Sequence, residues 1–350
     1  MAAVQSIPLD ESISASHKSE AQDCIAGTPA GTRKWILGGT SDAIFIANIF
    51  WPILLLLQFS PGFEGRPGIQ FWQLYFITTP HRWSTLLVVL LDQERFQQRK
   101  RAFMTIAVVS VITCLGIRMK TGALTCLLAI DYVWNAWHFA AQHHGIYRIY
   151  SRPGSHAPSS LVRLEKWLFR SFLLFVIFRT ASAANAPGAM DDWLSRADWI
   201  SLLIPAWLVS RELKSFSQGI QGRALYLISL MSLYVALLWS VHNNIPEIVL
   251  SLATVSAWFH ASEYLAIIGW HMQQRSNSPG NPNVLLRWMA PRWGLTLITY
   301  VTVLGCGSLV MDRDVPELWL LVNVIVAFLH YTYDGMIWKN RRAAGLQVGS

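Results

Sequence analysis

Four of the chain's ten histidines stand inside long apolar runs: His81 in "TTPHRWSTLLVVLLD", His138 in "NAWHFAAQHH", His260 in "WFHASEYLAIIGWH" and His330 in "LHYTYDGMIWK". Imidazole is costly to hold in hydrocarbon alone, so ionisable groups there face a cavity, one another or an ion. Several imidazoles without accompanying thiolates suit iron, copper or zinc. Three of the four have polar residues three or four positions away on the same helix face. These are Glu263 and Tyr264 beside His260, Tyr333 and Asp334 beside His330, and Gln142 beside His138, with Asp131 and Asn135 earlier in the same stripe. A metal-bound histidine commonly gives its second N–H to a carboxylate or carbonyl, which fixes the tautomer and strengthens the ligand. A histidine followed by an acid at this spacing is the pattern such support would leave, and equally the pattern of an intramembrane acid–base pair. His143 and His144 are further candidate ligands, although His138 and His143, five apart, share a face less well than residues four apart. Arg82 follows His81 directly, and a guanidinium at that depth needs an acid, an anionic ligand group or water; Asp131 is a candidate partner. His17, His156, His242 and His271 fall in tails, loops or helix ends and read as ordinary polar residues.

The elements that position these residues are membrane helices. The chain is 53 % hydrophobic and 14 % charged, against about 25 % charge in soluble domains. Ten apolar runs recur from "AIFIANIFWPILLLLQF" to "LWLLVNVIVAFLHYTYDGMIW", each near the roughly 20 residues that cross a bilayer, the sixth ("WISLLIPAWLVS") being the shortest. With the N-terminus inside, the Lys and Arg residues of the connecting segments divide 20 inside against 5 outside. The positive-inside tendency then predicts an even number of spans with both termini cytoplasmic. That topology and an anionic leaflet account for the net charge of +8, so nucleic acid is not needed as a partner. The fold class expected is an all-α polytopic bundle of about ten transmembrane helices. Residues 35–340 would form its single domain, between a polar N-terminal tail (1–34) without signal-peptide character and a short C-terminal tail (341–350). Placed by helix rise, His81, His138, His260 and His330 lie roughly 9–16 Å below the inner surface, one shallow layer of the bundle. Cys24, Cys114, Cys126 and Cys306 show no paired spacing and are given no redox or metal role.

A Pro-His step in an early span (Pro80, His81), a Trp-His step in a middle span (Trp137, His138) and later membrane histidines resemble the Brp/Blh family of membrane carotenoid-cleaving dioxygenases. The resemblance touches scattered residues in about four spans, and where that family places small residues and an acid soon after the first histidine, this chain has "RWSTLLVVLLD". It implies non-haem iron held by His81, His138, His260 and His330.

The expected activity is that of a metal-dependent membrane oxidoreductase, with iron favoured and zinc or copper compatible. Haem is disfavoured because no axial spacing repeats within a helix pair. Glu263, Asp334, Tyr264 and Tyr333 would orient ligands or move protons, and Arg82 would hold an anionic group. With no soluble substrate domain in the sequence, the substrate would be lipophilic and enter from the bilayer, with an electron donor where the reaction needs one. Two other readings use the same residues: a transporter of protons or an anionic solute, and an intramembrane zinc hydrolase with Glu263 or Asp334 as base.

Overall fold

The computed structural model describes residues 35–60, 68–150, 159–184, 191–216, 221–276 and 283–338. The segments 1–34 and 341–350, expected as tails, lie outside the described residues. Everything described is helical or short connection, with no strand among these residues.

The chain enters through a π-helical turn, Asp42–Ile46, and a helix α1, Trp51–Gln58. A short helix α2 (Gly68–Trp72), a π-helical turn (Gln73–Thr78) and α3 (Thr79–Leu91) run on as one rod. There follow α4 (Gln93–Thr121), α5 (Thr125–Ile149), α6 (Ser159–Ala184), α7 (Asp191–Ser201), α8 (Leu203–Phe216), α9 (Gln221–His242) and α10 (Pro246–Ser276). A short α11 (Val284–Met289), capped by Asn283 accepting from the Leu286 N–H, leads into α12 (Trp293–Asp314) and α13 (Pro316–Ile337). Five stretches are long and apolar enough to cross a membrane: Gly39–Gln58, Phe96–Thr121, Gln221–His242, Val284–Asp314 and Pro316–Ile337. The histidine-bearing helices α5 and α10 are longer than most of these, at 25 and 31 residues, but their polar side chains dilute the apolar signal.

Burial sorts the apolar helices into two kinds. In α9 and α13, 67 % and 61 % of the apolar window is buried, whereas in α4 and in Val284–Asp314 the share is 11 %. A helix that is apolar yet outward-facing is suited to lipid, so α4 and α12 form part of the rim and α9 and α13 the middle.

Local backbone features place the histidine layer. Pro80 has no N–H and cannot continue the regular ladder, and the π turn just before it absorbs the mismatch, as such turns often do near functional sites. Asn48 takes a left-handed conformation (φ 44°), which Asn tolerates. Its amide donates to the Phe45 and Ile46 carbonyls, and its oxygen accepts from Ser262 on α10, 2.8 Å away and next to Glu263. Asp42 accepts from the Ile36, Leu37 and Gly38 N–H groups and from the Tyr150 hydroxyl, tying the entry segment to α5. Gly305 lets α12 approach the π turn so closely that a Cβ there would lie 2.5 Å from Phe76 Cδ1 and 3.0 Å from the Tyr75 carbonyl.

Candidate metal centre

Four helices bring His81 (α3), His138 (α5), His260 (α10) and His330 (α13) into one buried ring. Neighbouring ring centroids are 5.2 Å apart for His81 and His260, 5.2 Å for His260 and His138, 4.5 Å for His138 and His330, and 4.9 Å for His330 and His81. The four imidazoles thus mark the corners of a quadrilateral.

Hydrogen bonds fix which nitrogen of each ring is free. His81 Nδ1 lies 2.6 Å from the Thr78 carbonyl. A carbonyl only accepts, so Nδ1 carries the proton and the buried, unpartnered Nε2 presents its lone pair. At His330, Nδ1 lies 2.6 Å from the Thr85 hydroxyl, which donates to Asp334 Oδ1 at 3.2 Å; Tyr264 donates to the same oxygen. The Thr85 hydroxyl also lies 2.5 Å from that of Tyr264; when its hydrogen goes to Asp334 or to Tyr264, the Thr85 oxygen accepts from His330 Nδ1–H and Nε2 is left as the donor atom. His143 repeats the pattern: Nδ1 lies 2.9 Å from Glu263 Oε1 while Nε2 is buried and unpartnered.

His330 Nε2 faces His138 Nε2 at 3.0 Å. Two nitrogens bound to one ion at about 2.0–2.1 Å stand about 2.9–3.4 Å apart, from right-angled to tetrahedral geometry. The separation therefore fits either a proton shared between the rings or a common cation. His260 has no such ambiguity. It is fully buried and stacked on Phe139 (3.7 Å, 14°), and neither ring nitrogen has a partner. One of those nitrogens must carry a hydrogen, so a donor and an acceptor are both orphaned, each costing about 1–3 kcal/mol without a ligand.

Three groups of potential ligand atoms result, the atoms of each lying within 4.8 Å of one another: His81, His260 and His330; His138, His330 and Asp334; His143, His260 and Glu263. Glu263 also accepts from Gln142 and from Tyr226, at 2.9 and 2.8 Å. Arg82 pairs with Asp131 at 3.8 Å, and Tyr331 donates to Asp131 and Asn135 at 2.9 and 3.0 Å. This polar group abuts the ring of histidines, since Tyr331 lies against His138 at 4.9 Å.

Two of the candidates lie apart from the ring. His144 faces Phe169 and Tyr147 and belongs to none of the three groups. Tyr333 spends its hydroxyl on the Phe103 carbonyl, 2.8 Å away, and packs edge-on against that ring. In a helix that turns about 100° per residue, one step along α5 or α13 is enough to aim a side chain at a different neighbour. Thr85, Phe139 and Tyr226 complete the surroundings without having been read as site residues. Thr85 carried a usable signal, lying four residues after His81, while Tyr226, between Arg223 and Ser229, has no histidine or carboxylate at helical spacing to mark it.

No known protein family, no curated protein and no solved structure matches the chain. Fold and site together define an all-helical protein with five stretches long and apolar enough to cross a membrane and a buried cluster of histidines and carboxylates.

Proposed function

We propose that the chain is an integral membrane, metal-dependent oxidoreductase of the non-haem iron oxygenase kind, acting on a lipophilic substrate. The observation that carries this reading is His260, a wholly buried imidazole with both nitrogens unpartnered at one corner of a ring of four histidines. In this reading His81, His138, His260 and His330 hold one transition-metal ion. Nitrogen-rich donors with a carboxylate nearby suit iron and are compatible with zinc or copper. Such an ion, with an open position, supplies oxygen chemistry.

The chain's own residues supply the rest. The Thr78 carbonyl and the Thr85 hydroxyl aim His81 and His330, Asp334 with Tyr264 takes up and returns a proton, and Phe139 keeps water from His260. Arg82, paired with Asp131, stands ready for an anionic group. Support for a lipophilic substrate comes from an apolar open groove of about 850 Å³ between α12 and the α3 and α13 side, lined by Trp83, Met289, Tyr300, Leu304 and Trp319 among others. The cluster histidines do not line it, but Tyr300 donates to the Pro80 carbonyl, 3.1 Å away and one residue from His81. The partial likeness to the Brp/Blh family belongs to the same proposal.

The ten-span arrangement with both termini in the cytoplasm is also proposed. Its support is that ion pairs near helix ends join ends assigned to one side: Arg118 with Glu317, and Arg179 with Asp198 and His242, outside; Asp92 with Arg275, and Glu165 with Arg211, inside.

The test is metal content by mass spectrometry on detergent-purified protein, wild type against a His138→Ala, His330→Ala double variant. Near-stoichiometric iron or copper that the variant loses supports the oxidoreductase. Zinc instead would redirect the assignment to hydrolysis with Glu263 or Asp334 as base. Metal-free wild type, purified without chelators, would overturn the reading in favour of a carrier of protons or an anionic solute.

A further inference from the structure

Among the described residues seven carboxylates are buried: Asp42, Asp92, Glu165, Asp198, Glu212, Glu263 and Asp334. Four of them pair with guanidinium groups: Asp92 with Arg275 at 2.8 Å, Glu165 with Arg211 at 3.0 Å, Asp198 with Arg179 at 3.3 Å and Glu212 with Arg223 at 2.6 Å. Asp42 is surrounded by three backbone N–H groups and the Tyr150 hydroxyl. The remaining two, Glu263 and Asp334, have no Arg or Lys partner, and both sit among the histidines. Buried charges are paired or bind metal. Two hydrogen-bonded carboxylates without a cationic side chain, each in its own group of ligand atoms, leave room for two cations.

The four-histidine centre accounts for one of them, with Asp334 beside it. We propose that His143, His260 and Glu263 hold a second divalent transition-metal ion next to the first, making the centre binuclear with His260 common to both positions as a bridging imidazolate, its N–H proton released as the second ion binds. His143 is already oriented for this, because its Nδ1 lies 2.9 Å from Glu263 Oε1, the spacing of two ligand atoms on one ion, and an ion between them takes the place of the Nδ1 hydrogen, which the ring carries on Nε2 instead. Glu263 has spare acceptor capacity, since a carboxylate offers about four lone-pair sites. His260 has two unpartnered nitrogens and lies between the two sides, its ring centroid 5.2 Å from His81 and 5.4 Å from His143. A purely structural hydrogen-bond network of His143, Glu263, Gln142 and Tyr226 satisfies the carboxylate, yet it leaves both His260 nitrogens bare, and one ion in the four-histidine ring takes up only one of them. An ion in this position takes up His143 Nδ1, Glu263 Oε1 and the other nitrogen of His260. Nitrogen and carboxylate donors suit iron, manganese, zinc or copper. The inference rests on the proposed metal centre only in sharing His260 with it.

The experiment is iron stoichiometry per chain on the full-length protein in detergent, loaded anaerobically with iron(II) and desalted. The wild type should carry two ions. Glu263→Gln and His143→Ala should each carry one, the His81→Ala, His138→Ala pair should also carry one, and His260→Ala should fall below either. Thermal unfolding of each apo variant checks that loss of iron is not loss of fold, and Glu263→Gln keeps the Gln142 and Tyr226 contacts in nearly the same volume. One ion in the wild type, unchanged by Glu263→Gln and His143→Ala, would overturn the second position and leave the first standing. One ion lost with Glu263→Gln but kept in the His81, His138 pair would do the reverse: it would support this site and remove the four-histidine one. Iron-free wild type would remove both.

Discussion

His138 and His330, 192 residues apart in sequence, place their Nε2 atoms 3.0 Å from each other in a buried site. The partners behind His330 make that contact a directed one. Thr85, itself bonded to Asp334, lies 2.6 Å from His330 Nδ1; with the ring proton there, Nε2 accepts, either from a proton on His138 or toward a cation.

His260→Phe separates a ligand from a packing residue. The phenyl ring keeps the flat stack on Phe139 and removes an orphaned donor and acceptor. Bound metal should fall at least tenfold, while the metal-free protein should melt at the same temperature or higher, because two unsatisfied buried groups, about 1–3 kcal/mol each, disappear. Unchanged metal content, measured by mass spectrometry alongside the melting curve, would make His260 a core residue.

Thr85 touches no proposed metal position, yet its hydroxyl aims His330. Thr85→Val should lower metal affinity about 10–100-fold, the usual cost of removing a group that orients a ligand. Thr85→Ser should restore it. Competition against a fluorescent chelator reads the difference, and equal affinities for the Val and Ser variants would refute the orienting role.

Asp198 bonds to Arg179 at 3.3 Å and to His242 at 3.1 Å. No residue of the histidine cluster shares in this trio. Asp198→Ala leaves the Arg179 guanidinium buried without its carboxylate, and should cost about 3–5 kcal/mol. Metal stoichiometry in the surviving folded protein should be unaltered. Denaturant unfolding in detergent checks the first statement and mass spectrometry the second.

Gly305 and Gly307 form a matched pair on α12. A Cβ at Gly305 would collide with Phe76 and press on the Tyr75 carbonyl, whereas one at Gly307 meets nothing within 4 Å. Gly305→Ala should therefore destabilise by about 1–3 kcal/mol as an overpacked contact. Gly307→Ala should stabilise by up to about 1 kcal/mol through helix propensity alone. Melting temperatures that move together for the two variants would contradict the close approach of α12 to the π turn.

Much of this was legible in the sequence because it depends on composition and local period. Long apolar runs dictate helices wherever backbone groups must be satisfied without water, and an acid four residues after His330 must share its face. The same rule brought Glu263 and Tyr264 to the side of α10 that carries His260. What no spacing decides is which faces meet. His143, a weaker candidate by its distance from His138, stands beside Glu263 because α5 and α10 cross there, and the adjacent His144 turns to Phe169 instead. Tyr333 bonds to the Phe103 carbonyl rather than joining Asp334 for the same reason, a rotation of about 100° between successive residues. Thr85 becomes the link between His330 and Asp334 only once α3 and α13 pack together. Periodicity along one helix selects a set of side chains, and packing between helices, set by long-range contacts such as Gly305 against Phe76, selects which of them share a site.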